Sequence, residues 1–406
     1  MKPDSIKEKI LYDVNIPESV GVEIGALANP MVKKDDGDVR YIDRDSTEKI
    51  KEWYSKSDVV DQEKIVDVDY VWGDQTLAEA TGVMEGFDYC FASHVLEHVP
   101  DLIGWLREVS SILKEKGIAS FSIPDRRYTF DYLRAESTVG ELLDAYFQKS
   151  RKPTVRQIYD HFSLFTELNI VEAWQPSFDG NKLVPAFEPG KAYSFCLDSV
   201  NNNKYIDTHC WVFTSTYFLA VLERLSKFGL LDFKIRNFFD VEQNTFEFVV
   251  QLEKIPSTLS AEEKHTLFLE SLRKVHPHSL RIVLEASSGG LAQLYYDTGK
   301  GFNEEESVMQ EFSVKGDRVD LEFSFPRVPV KGLRFDPLMG PVNIKIFSME
   351  LLLAGDKENA IRLESFQAGG NIRRSGMKDD YFFAESKRKT NDPSILINLP
   401  QSDGKI

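Results

Sequence analysis

Short apolar runs alternate with amphipathic stretches over the first half of the chain. The runs are "VGVEIG" (20–25), "VRYID" (39–43), "KIVDVDYV" (64–71), "FDYCFAS" (87–93) and "GIASFSIP" (117–124). Nearly continuous apolar strands separated by helical patterns predict a parallel sheet covered by helices on both faces. In the clearest helical stripe, Leu102, Trp105, Leu106, Val109, Ile112 and Leu113 recur at helical spacing, and Gly117 is the expected stop. Two further β-patterns, "LDFKIRNFFDV" and "NTFEFVVQLEKI", lie only a few residues apart and predict an antiparallel hairpin closing a seven-stranded sheet.

The rhythm breaks in two places. Residues 125–210 carry helical patches and a Gly/Pro/Asn-rich loop, as expected of an insertion after the fifth strand. From about 276 onward, short strands such as "LRIVLEAS", "VDLEFSF" and "VNIKIFSMELLL" follow one another between turn signals, predicting an all-β sandwich. The expected organisation is therefore an α/β domain over 1–255, a linker and helix over 256–275, and a sandwich over 276–406.

Composition narrows the partners. With 65 acidic against 49 basic residues and a net charge of -16, the chain is a poor match for nucleic acid or an anionic membrane surface. The stretch "MKPDSIKEKI" lacks an apolar leader and "CWVFTSTYFLAVL" is too short to span a bilayer, so no integral membrane segment is expected. Cys90, Cys196 and Cys210 form neither a C-x-x-C pair nor an even set. That usage suits a reducing cytoplasm and offers no cysteine metal site.

Three stretches carry candidate chemistry. In "VGVEIGALANPMV" a strand ends at Glu23 and turns at Gly25, which can present backbone N–H groups to a nucleotide-like ligand or simply form a tight turn. Asp43 closes the second strand about 20 residues later, the spacing at which a carboxylate accepts from ribose hydroxyls; a solvated strand end is the plain alternative. The third stretch, "SHVLEHVPD" (93–101), spells H-x-x-E-H through His94, Glu97 and His98. On one helix these letters would make a zinc-peptidase site. The strand pattern before His94 and the Pro100–Asp101 helix start after it instead put His94 at a turn, so a metallopeptidase is the remote alternative and no metal is expected.

The whole segment "FDYCFASHVLEHVPDLIGWLREVSSILKEKGIASFSIPD" resembles the fourth-to-fifth-strand region of class I S-adenosylmethionine-dependent methyltransferases. The resemblance covers about residues 10–253 and implies a Rossmann-like seven-stranded methyltransferase sheet with S-adenosyl-L-methionine as cofactor. It implies that Glu23, Gly25 and Ala26 approach the methionine end, Asp43 the ribose and Asp74 the adenine, that Asn29 belongs to the cofactor loop, and that Ser93 and His94 line the pocket. Leu27 and Asn29 depart from the glycines many members carry there. Together with "PDRRYTFDYLR", "DHF" and "DTHCWVFT", the chain is similar to methyltransferases of bacterial surface-polysaccharide synthesis. The C-terminal stretch "AQLYYDTGKGFNEEESV" resembles β-sandwich modules attached to enzymes of such pathways, which implies carbohydrate binding.

A sugar, nucleotide-sugar or glycan acceptor follows from that resemblance. Its hydroxyl would benefit from a base, and His161 after Asp160 and His209 near Asp207 are the candidates, with buried packing as the alternative for both. Arg126, Arg127 and Tyr128, directly after the fifth strand, are candidate acceptor contacts, or else surface charges and packing. A binding protein without turnover, holding cofactor and carbohydrate, is the competing class.

Overall fold

The computed structural model describes residues 3–55, 60–175, 177–275, 278–314, 318–325, 330–337, 342–352, 360–369, 372–378, 381–386, 393–397 and 399. The chain divides into two compact units, Met1–Ser271 and Leu272–Ile406.

In the first unit seven strands form one sheet: β1 (Val20–Ile24), β2 (Asp38–Asp43), β3 (Tyr70–Val71), β4 (Phe87–Ser93), β5 (Leu113–Pro124), β6 (Phe233–Phe239) and β7 (Glu247–Lys254). Their order across the sheet is β3-β2-β1-β4-β5-β7-β6, parallel through β5 and antiparallel at β7 and β6. The central strands read as unbroken apolar runs because both faces are covered. Val22, Phe91, Ala119 and Phe121 are all buried. Cys90 is a small core residue, and all three cysteines are free.

Two elements differ from the sequence expectation. The third strand shrinks from 64–71 to Tyr70–Val71, because Gln62–Lys64 form a 3-10 turn and Asp69 turns its carboxylate onto the Tyr41 N–H at 2.8 Å. The helix expected to reach Gly117 ends at Ile112, where Leu113 pairs with Phe87 and begins β5. An apolar Leu113 fits the helical stripe and the sheet equally, and pairing with β4 decides between them.

Close packing at the centre sets a test. A Cβ on Gly21 in β1 would lie 2.2 Å from the Tyr89 ring, which is fully buried and stacked on Phe91 at 4.5 Å. Gly21→Ala should therefore destabilise the unit by about 1–3 kcal/mol, as overpacking does. A thermal midpoint equal to the wild type would refute it.

Residues 125–210 form an insertion between β5 and the helix Ser215–Lys227, built of helices Val139–Gln148, Val155–Ser163, Ile170–Ala173 and Pro189–Asn201. The second unit holds two antiparallel sheets. One orders Ser307–Phe312, Gly290–Asp297, Gly332–Asp336, Ile395–Ile397 and Phe366–Ala368. The other orders Val319–Phe325, His278–Ala286, Asn343–Leu352, Tyr381–Ser386 and Ile372–Lys378, with Ile361–Arg362 paired to Asn343–Leu352. Alternate residues of His278–Ala286 turn inward: Leu280, Ile282 and Leu284 share one buried cluster with Leu294, Phe335 and Ile395 of the first sheet.

Candidate functional site

A cavity of about 440 Å³ opens at the carboxyl ends of β1, β2 and β4, where ligands of open α/β sheets bind. Gly25 and Leu27 after β1, Asp43 and Arg44 after β2, and His94 and Val95 after β4 form one side. Trp53, Tyr54 and Trp72 add aromatic walls. Ser150, Arg151, Tyr205 and Asp207, all within 125–210, line the cavity as well, so the insertion supplies part of its wall.

The β1 turn is built for close approach. Gly25 has φ +71°, and a Cβ there would meet Val95 Cγ2 at 2.6 Å. Leu27 also takes a left-handed conformation, φ 46°. Glu23 does not reach the cavity; its carboxylate accepts from the Met31 N–H at 2.8 Å and the Val32 N–H at 3.1 Å, clasping the turn from behind. Burial pushes this carboxyl up to about 7 against those two hydrogen bonds. Ala26 is buried in the core, and neither Asn29 nor Ser93 is among the cavity-lining residues.

At the end of β2, burial pushes Asp43 up to about 6, partly offset by the Arg44 N–H donating to Oδ1 at 2.7 Å. Arg44 stacks its guanidinium 3.7 Å from the centre of the Tyr205 ring. Asp74 is turned towards Arg44 at 3.5 Å, its side chain 67% exposed, and does not line the cavity.

The H-x-x-E-H letters do not share a helix. His94 has φ 54° and follows β4, while Leu96–His98 form a single 3-10 turn, so the zinc-peptidase geometry is absent. His94 instead bonds Glu247 of β7 through Nε2 and lies 3.4 Å from Glu97 through Nδ1. Burial lowers its pKa, but the two carboxylates outweigh that effect and push it up to about 10. Glu247 also accepts from Ser122 Oγ at 2.8 Å.

The other sequence candidates lie away from the cavity. His161 and His209 are both buried and neither lines it. His161 packs against Phe130, Phe162 and Phe165, and burial together with His209 pushes it down to about 3. His209 bonds Asp131 through Nδ1 and sets its ring edge-on to His98, centroids 4.7 Å apart. Arg126 donates to the carbonyls of Arg134 and Tyr132, and Arg127 donates twice to Asp125, each N–O distance 2.9 Å. Tyr128 stacks on Trp174 at 4.1 Å. This trio joins the insertion to β5 and does not line the cavity.

Sequence reasoning missed Arg44, the Trp53–Tyr54 pair, Trp72, Arg151, Tyr205 and His98 as cavity residues. Asp207, read only as a neighbour of His209, holds His98 Nδ1 at 2.9 Å. Arg44 next to Asp43 was the one local signal available; Arg151 and Tyr205 reach the cavity through the fold of the insertion.

A parallel five-strand core extended by an antiparallel β7–β6 pair, with its cavity over β1, β2 and β4, is a Rossmann-like α/β core. Residues 10–176 match a family model described as a methyltransferase domain. Fold, cavity and match support S-adenosylmethionine-dependent methyl transfer, with S-adenosylmethionine as the cofactor. No curated protein matches the sequence. Among solved structures the chain is similar to the CurJ carbon methyltransferase, at 13% identity and a TM-score of 0.28 over 60% of this chain and 50% of that one. It is also similar to an S-adenosylmethionine-dependent methyltransferase from Aquifex aeolicus, at 11% identity and 0.30 over 62% and 90%. A third is the 1,6-didemethyltoxoflavin-N1-methyltransferase of Burkholderia thailandensis, solved with S-adenosylhomocysteine, at 11% identity and 0.30 over 62% and 76%. The chain spans about half the length of the carbon methyltransferase.

Proposed function

We propose that the first unit transfers a methyl group from S-adenosylmethionine to a hydroxyl of a sugar, nucleotide-sugar or glycan acceptor. The observation that carries the cofactor reading is the juxtaposition, in one cavity, of the Gly25 turn and the Asp43 carboxylate at neighbouring strand ends. Asp43 accepts from the ribose hydroxyls, Trp53, Tyr54 and Trp72 offer faces for a flat base, and the turn at Gly25 leaves room for the methionine end. The cofactor supplies a methyl carbon already activated by its sulfonium.

What remains for the protein is to hold an acceptor oxygen about 3–3.5 Å from that carbon and in line with the bond that breaks. The insertion does this through Arg151, Tyr205 and Asp207. Two imidazoles stand at the cavity wall, His94 and His98, and His98 is the one oriented by Asp207. His209, behind it, serves as a positioning residue for His98 and does not meet the acceptor. The sugar class rests on the sequence resemblance to polysaccharide methyltransferases.

Incubating the full chain with methyl-labelled S-adenosylmethionine and a panel of nucleotide sugars and glycans, followed by mass spectrometry, tests the reading. A gain of one methyl on a sugar hydroxyl is expected. Cofactor binding by calorimetry without transfer to any acceptor in the panel would favour the non-catalytic alternative, and no binding at millimolar cofactor would remove both.

A further inference from the structure

Behind the cavity wall, Glu97, His98 and His209 each bring one ligand-type atom within 4.8 Å of the other two. We propose that these three residues form a divalent transition-metal site with two imidazoles and one carboxylate as ligands, opening onto the cavity through His98.

The segments that carry the site are fastened together by backbone. The Glu97 carbonyl accepts from the Cys210 N–H at 2.6 Å and the Trp211 N–H at 3.1 Å, and the Val99 carbonyl accepts from Trp211 Nε1 at 2.6 Å. The donor set is therefore held in place by the fold.

Each imidazole is already oriented from behind. His98 Nδ1 bonds Asp207 at 2.9 Å and His209 Nδ1 bonds Asp131, which leaves Nε2 of each ring to an ion. A carboxylate on the far nitrogen is the usual partner of a metal-binding histidine, fixing its tautomer and raising its basicity. Here both rings have one.

The third residue supplies the independent observation. Glu97 is 1% exposed, and among the described residues neither of its carboxylate oxygens finds a hydrogen-bond partner, although His94 Nδ1 stands 3.4 Å away. A buried carboxylate in that position is costly. Glu97, Asp131 and Asp207 surround the two rings; Arg134 covers only Asp131, at 2.8 Å, and His94, 3.4 Å from Glu97, is shared with Glu247. A divalent cation answers that excess of negative charge. Two imidazolium rings edge-on at 4.7 Å would repel each other instead.

Two nitrogens and one carboxylate suit zinc and its borderline neighbours, and three protein ligands keep a coordination position for a water or hydroxyl oxygen. The site stands independently of the methyl-transfer reading. Where that reading also holds, the open position is where the acceptor hydroxyl binds.

Tag-free full-length protein, stripped with chelator and dialysed, should take up about one equivalent of zinc per chain by calorimetry and elemental analysis, with no S-adenosylmethionine present. Glu97→Gln and His209→Ala, shown folded by circular dichroism, should each weaken uptake at least about a hundredfold, while Glu115→Gln on the surface should not. In the wild type, cobalt should give visible d–d bands without a thiolate charge-transfer band, a readout that needs no variant to fold. Uptake far below one equivalent, or uptake unchanged in both folded variants, would overturn the site. A thiolate band would overturn the ligand set by placing Cys210 on the ion.

Discussion

Asp43→Asn is expected to weaken S-adenosylmethionine binding by about ten- to a hundredfold. On the proposed reading, two charge-assisted hydrogen bonds to ribose hydroxyls become neutral ones, each such bond being worth about 1.5–3 kcal/mol in its charged form, and about 1.4 kcal/mol is a factor of ten. The pH dependence supplies a second signature. Burial raises this carboxyl to about 6 in the free protein, and ligand hydroxyls favour its ionised form. Affinity should therefore be flat above pH 6 and fall towards tenfold per unit below it, as protons compete with the ligand. In the asparagine variant that fall should vanish. Calorimetry between pH 8 and pH 5 decides: an unchanged wild-type affinity across the range, or equal affinity in the variant, removes Asp43 from the ribose.

The largest expected effect on stability is at Asp131. It is 2% exposed, pairs with Arg134, itself 5% exposed, at 2.8 Å, and bonds His209. Burial raises its pKa, but His209 and Arg134 outweigh that and hold the carboxyl well below the usual range. Asp131→Asn leaves the buried guanidinium uncompensated, and breaking one side of such a pair costs about 3–5 kcal/mol. For a unit of this size that corresponds to a drop of roughly 10 °C in thermal midpoint. Arg134→Gln in the same background should cost much less than it does alone, because the two charges are coupled. Additive losses from the two substitutions would refute the coupling.

The sheet is largely legible in the sequence because a parallel strand buried on both faces writes itself as an apolar run, as β1, β4 and β5 do. The strand at Tyr70–Val71 reads longer than it is because Ile65 and Val66 are apolar for another reason: Ile65 is buried and Val66 packs against the core cluster that holds Ala26, while the Val66 N–H donates to the Leu27 carbonyl at 2.9 Å. Leu113 shows the converse ambiguity between a helix end and a strand start. In the site, Gly25, Asp43 and His94 can be found because strand ends are local features. Arg151, Tyr205 and Asp207 cannot, since the folding of the insertion brings them there. The doublet Arg126–Arg127 looks like an anion site, yet its donors are taken up by Asp125 and by the carbonyls of Tyr132 and Arg134.

The placement of β7 bears on how the protein is made. This strand lies between β5 and β6, bonds His94 through Glu247, and reaches the carbonyls of Ile10 and Tyr12 through Gln251 Nε2 at 2.9 and 3.0 Å. During synthesis, β1 to β5 leave the ribosome more than a hundred residues before their neighbour arrives. Until then the apolar edge of β5 has no partner and His94 lacks its carboxylate. A nascent chain ending before residue 247 should be a client of chaperones, and the cavity a late event in biosynthesis.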